Sequence, residues 1–309
     1  MTEPTSLADS RQPQLALMIG VSLLTPGFGV LQPVRAEAVS GESGLIAFVR
    51  EGSEGGIYTI DRSGSDLRRL TDGQDYRPRW SPDGTKIVFQ RFEGAGGRSY
   101  IYVMDPDGSN LQRLTTRPGF QPDWSPDGSL IVFGSLDGHD GEVFVMNADG
   151  SDLIRLTRNR FEETLPAWSP DGLTIAFASR RDRNTDIYLM NADGSDQVRL
   201  THSPANDLNP AWSPDGSRLV FQSRRERNWD LYATLLDGSD LEQITSAPTA
   251  EWAPAWSPDG SQIAFTVYSR TREDIAILHL DSSVMVRFVI PDSFELEPDW
   301  QPVPAIPVP

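Results

Sequence analysis

Hydrophobic residues recur along the chain as short apolar triplets, separated by polar turns at a nearly constant spacing. Most triplets read Ile-Val-Phe or Ile-Ala-Phe, and together they occupy positions 46–48, 87–89, 131–133, 175–177, 219–221 and 263–265. An unbroken apolar triplet indicates a strand that is covered on both faces. A second apolar pair, such as Ile101-Tyr102, follows most triplets and leads into an Asp-Gly turn. The pattern predicts antiparallel strands joined by hairpin turns.

One pentapeptide, Trp-Ser-Pro-Asp-Gly, sets the phase of this pattern. Its tryptophans recur every 44 residues, and a sixth, decayed copy reads Trp-Gln-Pro: Trp80, Trp124, Trp168, Trp212, Trp256 and Trp300. A constant period of this length is typical of repeat proteins. Four short strands in each repeat predict an all-β fold, a six-bladed β-propeller.

The phase of the first and last repeats predicts how the ring closes. The first unit begins at Ile46 without a tryptophan strand, and the strand ending at Trp300 has no unit after it. We therefore expect the C-terminal strand to complete the first blade, which leaves no unpaired edge of the kind an open array exposes. The propeller is predicted to span residues 44–302, followed by a proline-rich tail at 303–309.

A proline stands two residues before each of the six tryptophans. Proline has no N–H to donate to a sheet, so the tryptophan strand needs one unpaired side. The innermost strand of a blade, facing the central channel, has such a side.

At these residues the chain resembles the TolB-type propeller repeat family, whose hallmark is Pro-x-Trp-Ser-Pro-Asp-Gly-x-x-Ile-Ala-Phe followed by Ile-Tyr and an Asp-Gly turn. The resemblance covers residues 44–302 in five near-perfect copies and one partial copy. It implies a propeller alone, without the N-terminal α/β domain that periplasmic TolB carries. The resemblance is specific for the fold and only weakly specific for the function.

The N-terminal residues 1–38 are typical of a secretory signal. An apolar stretch from Leu15 to Leu31 precedes Ala36-Glu37-Ala38, which predicts cleavage after Ala38 and a short linker at 39–43. An uncleaved membrane anchor and a leader without function are the alternatives. We expect a periplasmic or secreted protein, membrane-tethered if the signal is retained, with no stable membrane insertion after cleavage.

Composition narrows the range of partners and chemistry. The net charge of -17 argues against a nucleic-acid partner, which would require clustered Lys and Arg. Because the chain has no cysteine, disulfides and thiolate chemistry are excluded. The aspartates of the pentapeptide and of the Asn-Ala-Asp-Gly-Ser-Asp segments are interpreted as turn formers, since Asp bonds back to nearby backbone in such turns.

A set of acids five residues before the repeated tryptophans is the candidate metal site. Five of the six equivalent positions are acidic: Asp75, Glu163, Asp207, Glu251 and Glu295. Rotation of the blades about the channel would bring these residues into a ring at one mouth, where carboxylates repel one another or recruit a cation such as Ca²⁺. The alternative is a set of solvated loop acids without a ligand.

Beside this ring lies a candidate binding surface of aromatic and polar residues: Tyr76, Phe120, Trp229, Trp252 and Asn209. Exposed aromatic residues at a propeller mouth are suited to contact a peptide or a sugar, and packing between blades is the alternative role.

The sequence therefore predicts an exported, monomeric, non-catalytic binding or scaffold module that presents a channel mouth to a peptide, protein or glycan. No cofactor is required, and Ca²⁺ is the possible ligand ion. A calcium-dependent carbohydrate-active enzyme, either a lyase or a hydrolase, is the alternative. The three histidines fall at different phases of the repeat and no Gly-x-Ser-x-Gly motif occurs, which disfavours catalysis.

Overall fold

Six antiparallel sheets arranged as the blades of a propeller make up the described part of the chain. The structure is a computed structural model that describes residues 18–23, 44–94, 96–137, 140–290 and 293–302. Strands are numbered in chain order, and each blade is given from its innermost to its outermost strand.

Blades 1 to 3 are built as follows. Blade 1 contains β25 (Phe294–Trp300), β2 (Ile46–Glu51), β3 (Gly56–Ile60) and β4 (Arg68–Arg69). Blade 2 contains β5 (Asp75–Trp80), β6 (Ile87–Glu93), β7 (Arg98–Met104) and β8 (Gln112–Arg113). Blade 3 contains β9 (Phe120–Trp124), β10 (Leu130–Asp137), β11 (Asp140–Asn147) and β12 (Ile154–Arg155).

Blades 4 to 6 repeat the plan. Blade 4 contains β13 (Glu163–Trp168), β14 (Thr174–Ser179), β15 (Asp186–Asn191) and β16 (Val198–Arg199). Blade 5 contains β17 (Asp207–Trp212), β18 (Arg218–Ser223), β19 (Asp230–Leu235) and β20 (Glu242–Gln243). Blade 6 contains β21 (Ala250–Trp256), β22 (Gln262–Ser269), β23 (Arg272–His279) and β24 (Val284–Val289), with β1 (Met18–Leu23) added at its outer edge.

The hydrophobic core lies between neighbouring blades. The phenylalanines that end the apolar triplets are at most 1 % exposed: Phe48, Phe89, Phe133, Phe177, Phe221 and Phe265. In one such cluster, Trp168 and Phe177 of blade 4 pack with Val132 and Val145 of blade 3. Burial of one such side chain stabilises the fold by roughly 1.5–3 kcal/mol, so each blade depends on its neighbours for most of its stability.

The Trp-Ser-Pro-Asp-Gly turns have the structure that their residues predict. In blade 2, Gly84 N donates to Ser81 O (2.8 Å), and Asp83 Oδ1 accepts hydrogen bonds from Ser81 Oγ (2.6 Å) and Thr85 N (3.0 Å). The equivalent aspartates of the other four copies make the same pair of contacts. These hydrogen bonds lower the pKa of Asp83 below its usual value. The interpretation of these acids as turn formers is confirmed.

The C-terminal strand closes the ring, as the phase of the repeats predicts. β25 pairs with β2, so that Trp300 lies opposite Ile46 and Glu295 lies opposite Arg50. β25 also contacts β5 and β21, the inner strands of the two neighbouring blades. The six inner strands therefore contact one another in a complete circle.

β1 lies within the residues interpreted as a secretory signal. It pairs antiparallel with β24, from Met18 opposite Val289 to Leu23 opposite Val284. A chain cleaved after Ala38 would not retain β1, so this pairing and the predicted cleavage cannot both hold in one mature protein. The closed ring itself does not involve β1.

Removing the closing strand tests this architecture. A chain that ends before Phe294 should lose its cooperative unfolding transition, because blade 1 then lacks its inner strand and the apolar faces beside it are exposed. Thermal unfolding followed by circular dichroism measures this loss. A chain that ends after Pro302 is the matched control and should melt at the wild-type temperature; equal melting of both truncated chains would contradict closure by β25.

Candidate binding channel

A cavity of about 400 Å³ lies on the axis of the ring. It is lined by the inner strands of all six blades and reaches the prolines of the Ser-Pro turns, such as Pro170 and Pro214, which are exposed. The cavity thus extends towards the end of the channel where the inner strands finish. The mouth predicted from the sequence is at the opposite end, where these strands begin.

A β-bulge in every inner strand shapes this cavity. The residue before the strand proline has a φ of +49° to +56° in each blade, and the register to the second strand shifts there. These bulge residues are Arg77, Gln121, Leu165, Asn209, Ala253 and Glu297. A left-handed conformation costs roughly 1–2 kcal/mol for a residue with a side chain. Because the same strained conformation recurs in all six blades, the bulge is a regular part of the fold, and it redirects one side chain in each blade.

The bulge residues close the floor of the channel. The Arg77 guanidinium donates to Asn209 Oδ1 (2.8 Å), although blades 2 and 5 stand opposite each other in the ring. The same guanidinium forms an ion pair with Glu297 (2.7 Å), which also accepts a hydrogen bond from Arg77 N (2.8 Å). Burial lowers the pKa of Arg77, and Glu297 opposes that effect. Because one side chain spans the channel, the cavity is a blind pocket at this level.

A second layer of charged residues lies two positions further along the inner strands, nearer the Trp-Ser-Pro-Asp-Gly turns. Arg79 stands 3.7 Å from Asp299, whose other oxygen accepts a hydrogen bond from Trp80 N (2.8 Å). Asp123 accepts the equivalent bond from Trp168 N (2.8 Å). Burial raises the pKa of Asp123 to about 7, although Arg79 opposes the shift, and burial also raises the pKa of Asp299. These aspartates join the inner strands of adjacent blades.

The two sides of the cavity differ in chemistry. Blades 1 to 3 supply the charged side chains, whereas blades 4 to 6 supply apolar residues at most of the equivalent positions: Leu165, Ala167, Ala211, Ala253 and Ala255. Arginines and carboxylates pair with one another on the charged side. The cavity therefore offers one apolar wall and one polar wall whose charges are largely compensated.

The predicted acidic ring occupies a different environment from the one expected. Its five acids are at most 1 % exposed. Three of them point to the end of the second strand in their own blade, and Glu251 and Glu295 lie beside an acid of the preceding blade. Three of them form ion pairs there: Asp75 with Arg91 (2.6 Å), Glu163 with Arg181 (2.9 Å) and Asp207 with Arg225 (3.0 Å). These three carboxylates are therefore buried in ion pairs, and a ligand at the predicted ring stays a prediction.

Glu251 and Glu295 lack such an ion pair among the described residues. Glu251 accepts a hydrogen bond from Thr249 Oγ1 (2.6 Å), and Glu295 accepts one from Ser293 Oγ. Burial raises the pKa of Glu251 to about 8 and that of Glu295 to about 7. Within the described residues, no three acidic or histidine side chains are grouped to hold a metal ion. A calcium site stays a prediction without support from this geometry.

Of the predicted aromatic contact residues, Tyr76 packs within blade 2 and bonds to blade 1, and Phe120 packs within blade 3. The Tyr76 hydroxyl donates to Glu51 Oε1 (2.8 Å), and its ring meets Phe92 edge to face at 5.6 Å. Phe120 lies over Gly134, where an added Cβ would come within 2.2 Å of the ring. Neither residue lines the axial cavity.

The remaining predicted contact residues divide between the two ends of the inner strands. Trp252 and Trp229 are partly buried away from the cavity, and Trp229 O accepts a hydrogen bond from Glu251 N (2.7 Å). Asn209 lines the cavity and bonds to both Arg77 and Gln222. Of the five residues, the structure places only Asn209 in the channel.

The sequence did contain a signal for the bulge layer. In an otherwise constant repeat, the position before the proline varies from blade to blade and includes arginine, glutamine, leucine, asparagine, alanine and glutamate. Periodicity alone does not reveal this layer, because a regular strand alternates its side chains between two faces, and the positive φ that redirects this residue leaves no mark on that pattern.

Replacing the residue that spans the channel tests the closed floor. Arg77→Ala should destabilise the protein by roughly 2–4 kcal/mol, because it leaves Glu297 buried without its cation. Urea unfolding measures the loss, and the double variant with Glu297→Gln should recover part of it. Arg68→Ala is the control, since Arg68 is a solvent-exposed arginine whose removal should change stability by less than about 0.5 kcal/mol. Equal effects of the two single substitutions would contradict the bridge.

Several solved structures share the fold at low sequence identity. TolB from Acinetobacter baumannii has a TM-score of 0.76 and 22 % identity, covering 84 % of this chain and 67 % of that chain. Hydrazine synthase of Kuenenia stuttgartiensis has a TM-score of 0.70 and 16 % identity, covering 86 % and 47 %. A chain of a nidogen/laminin complex has a TM-score of 0.66 and 10 % identity, covering 84 % and 98 %. At these identities the likeness shows the fold alone.

A family model identifies the chain more specifically. No curated protein matches the sequence. The model of the TolB beta propeller domain matches residues 37–164 and 117–251, overlapping stretches that together cover more than half of the chain. The matched residues include β2 to β20, that is, blades 2 to 5 and three strands of blade 1, and the chain therefore belongs to the TolB β-propeller domain family.

Proposed function

We propose that this protein is a non-catalytic binding module that takes up a short segment of a partner protein in the blind end of its channel. The observation that carries the proposal is the axial cavity of about 400 Å³, closed by Arg77 and open towards the exposed prolines of the turns. A concave pocket with one apolar wall and a few convergent polar groups is the usual form of a binding site.

The rim of the cavity favours a peptide ligand. Six tryptophans and six turn prolines surround it, one pair from each blade. Five of these tryptophans are at most 8 % exposed because they pack between the blades, so the turn prolines offer the more accessible surface of the rim. Three of the indoles donate to a carbonyl of the preceding blade, as Trp124 Nε1 does to Arg79 O (3.2 Å). These donors hold their rings rigidly, which lowers the cost of ordering the site on binding.

The charges inside the cavity bear on the kind of segment that fits. Two arginines face two carboxylates in the Arg77–Glu297 and Arg79–Asp299 pairs, and Asp123 is the remaining acid of the lining, so the pocket has no surplus positive charge to attract a strongly anionic ligand. The apolar wall of blades 4 to 6 suits an aliphatic or aromatic side chain. A segment with one apolar side chain and neighbouring backbone amides satisfies both walls.

The alternative enzyme, a calcium-dependent lyase or hydrolase, has little in its favour among the described residues. His202 is exposed, and His279 Nδ1 lies 3.1 Å from Gln262 Nε2, far in sequence and in strand position from the channel. The enzyme hypothesis therefore stays the less supported candidate.

Export of a monomer is the second part of the proposal, and it rests on the N-terminal residues. The described residues contain no helix with the length and apolar character that crossing a bilayer requires. Cleavage after Ala38 would leave the closed ring intact because β1 lies outside it.

The mass of the exported protein tests this cleavage. We expect a mature chain that begins at Val39, measured by mass spectrometry of protein recovered from outside the cytoplasm. Ala36→Glu with Ala38→Glu removes the small residues of the cleavage site and should leave the longer chain. An exported wild-type chain that retains Met18–Leu23 would contradict cleavage and favour β1 as a permanent strand.

Selection of peptides on the immobilised protein tests the binding function. We expect enrichment of short peptides that share an apolar side chain, with binding weakened at least about tenfold by Pro170→Glu with Pro214→Glu, since two charges then stand on the apolar side of the rim. Pro106→Glu is the matched control: Pro106 occupies a similar Pro-Asp-Gly turn that does not line the cavity.

Other outcomes of this experiment are informative. No enrichment, or peptides whose binding ignores the rim substitutions, would overturn the proposal. Binding to a glycan array and not to peptides would support a binding module whose ligand is a glycan. Turnover of a glycan would favour the enzyme hypothesis.

A further inference from the structure

Pairs of buried carboxyl groups lie at the junctions between successive blades. At each of four junctions, an acid near the start of the third strand of one blade lies near an acid at or near the start of the inner strand of the next blade. The four pairs are Glu142 with Glu163, Asp186 with Asp207, Asp230 with Glu251, and Asp274 with Glu295. All eight side chains are at most 2 % exposed. Burying two carboxylates side by side is costly unless cations or protons compensate them.

Arginines compensate the pair between blades 4 and 5, which serves as the reference. Arg199 binds Asp186 (2.8 Å) and Arg225 binds Asp207 (3.0 Å). The pair between blades 3 and 4 has the equivalent arginines, Arg155 at 2.8 Å from Glu142 and Arg181 at 2.9 Å from Glu163. Between blades 6 and 1, Asp274 is bound by Arg272 and Arg287. Arginine is therefore the usual neighbour of these acids.

The junction between blades 5 and 6 has lost both arginines. Gln243 occupies the place of the outer one, since it lies opposite Tyr232 in the sheet just as Arg199 lies opposite Tyr188. Ser269 stands 44 residues after Arg225, where the inner arginine would be. Among the ion pairs of the described residues, none involves Asp230 or Glu251.

The remaining neighbours of this pair are neutral or negative. Asp230 and Glu251 face each other at this junction, and Asp230 Oδ1 and Glu251 Oε2 are both buried without a hydrogen-bond partner. Thr249 Oγ1 donates to Glu251 Oε1 (2.6 Å), and Thr245 lies nearby. The Asn228 amide donates to the backbone oxygens of Ala247 and Thr249.

Charged groups from the surrounding strands complete the environment. Glu226 adds a negative charge facing Asp230, and the Tyr232 hydroxyl lies near Asp230 with no acceptor of its own. Arg225, the nearest cation on blade 5, is committed to Asp207. A hydrogen bond between two carboxyl groups needs one proton, and no neighbour supplies a charge that would replace it.

We propose that Asp230 and Glu251 hold one shared proton at neutral pH, and that its loss at alkaline pH loosens the junction between blades 5 and 6. The replacement of Arg by Gln243 and Ser269 makes this junction the pH-sensitive seam of the ring. The junctions between blades 3 and 4 and between blades 4 and 5 have a guanidinium group on each acid, and the junction between blades 6 and 1 has two on Asp274. These groups stay charged throughout this range. The buried acid accordingly stabilises the fold at low pH, and this contribution is lost as the pH rises through the raised pKa of Glu251, about 8.

Thermal unfolding of three variants between about pH 6 and about pH 9 tests the seam. Glu251→Gln replaces the titrating group with a neutral isostere, so it should melt about 3 °C or more above the wild type at the alkaline end and by a smaller margin at the acidic end. Gln243→Arg restores the missing cation and should also raise the melting temperature mainly at the alkaline end. Glu163→Gln is the matched control, since it removes the partner of Arg181 and should lower the melting temperature across the whole range.

Hydrogen exchange locates the effect within the ring. At one alkaline pH, the wild type should exchange faster than Glu251→Gln in β19 and β21 and equally elsewhere. Faster exchange spread over all six blades would contradict a local seam. The proposal would be overturned if both Glu251→Gln and Gln243→Arg differed from the wild type by a constant melting temperature over the whole pH range. If one of the two variants does not fold, the other one decides the test.

Discussion

Burial of apolar faces between neighbouring blades is the constraint on which the rest of the structure depends. Each Ile-x-Phe strand is covered on both sides only because another blade stands next to it, as Phe177 is covered from blade 3. An open row of blades would expose two such faces and an unpaired edge. The pairing of β25 with β2 covers these faces and pairs this edge. The first blade is therefore stable only when the C-terminal strand is in place.

The chemistry of the molecule lies in the places where the repeat varies. Six equivalent positions around one axis bring residues far apart in sequence into contact, as Arg77 and Asn209 show across the channel. The same geometry brings carboxyl groups together at the blade junctions. Two positions that hold arginine in blades 4 and 5 are Gln243 and Ser269 at one junction, whereas the junction between blades 4 and 5 keeps its ion pairs. Constant residues make the ring, and variable residues give each part of it a different property.

Periodicity was sufficient to predict the fold, the blade number and the closure, because these follow from the spacing of tryptophans and apolar triplets. It did not predict the direction of side chains in the inner strands. Glu163 was expected at an open mouth, but its strand register places it beside Ser179 and within reach of Arg181. Asn209 was expected beside the same mouth, but the bulge in its strand directs its side chain into the channel. Local backbone conformation and pairing over 18 residues are features that a repeat period does not encode.

Hydrogen exchange of the protein with and without a peptide selected on it is the most direct measurement of the central claim. The account predicts protection of amides in the Trp-Ser-Pro-Asp-Gly turns and the adjoining ends of the inner strands, at several blades together, because the cavity reaches that end of the channel. Protection confined to the other end of the inner strands, around Asp75 and Glu251, would contradict a pocket closed by Arg77 and would return the binding site to the opposite mouth.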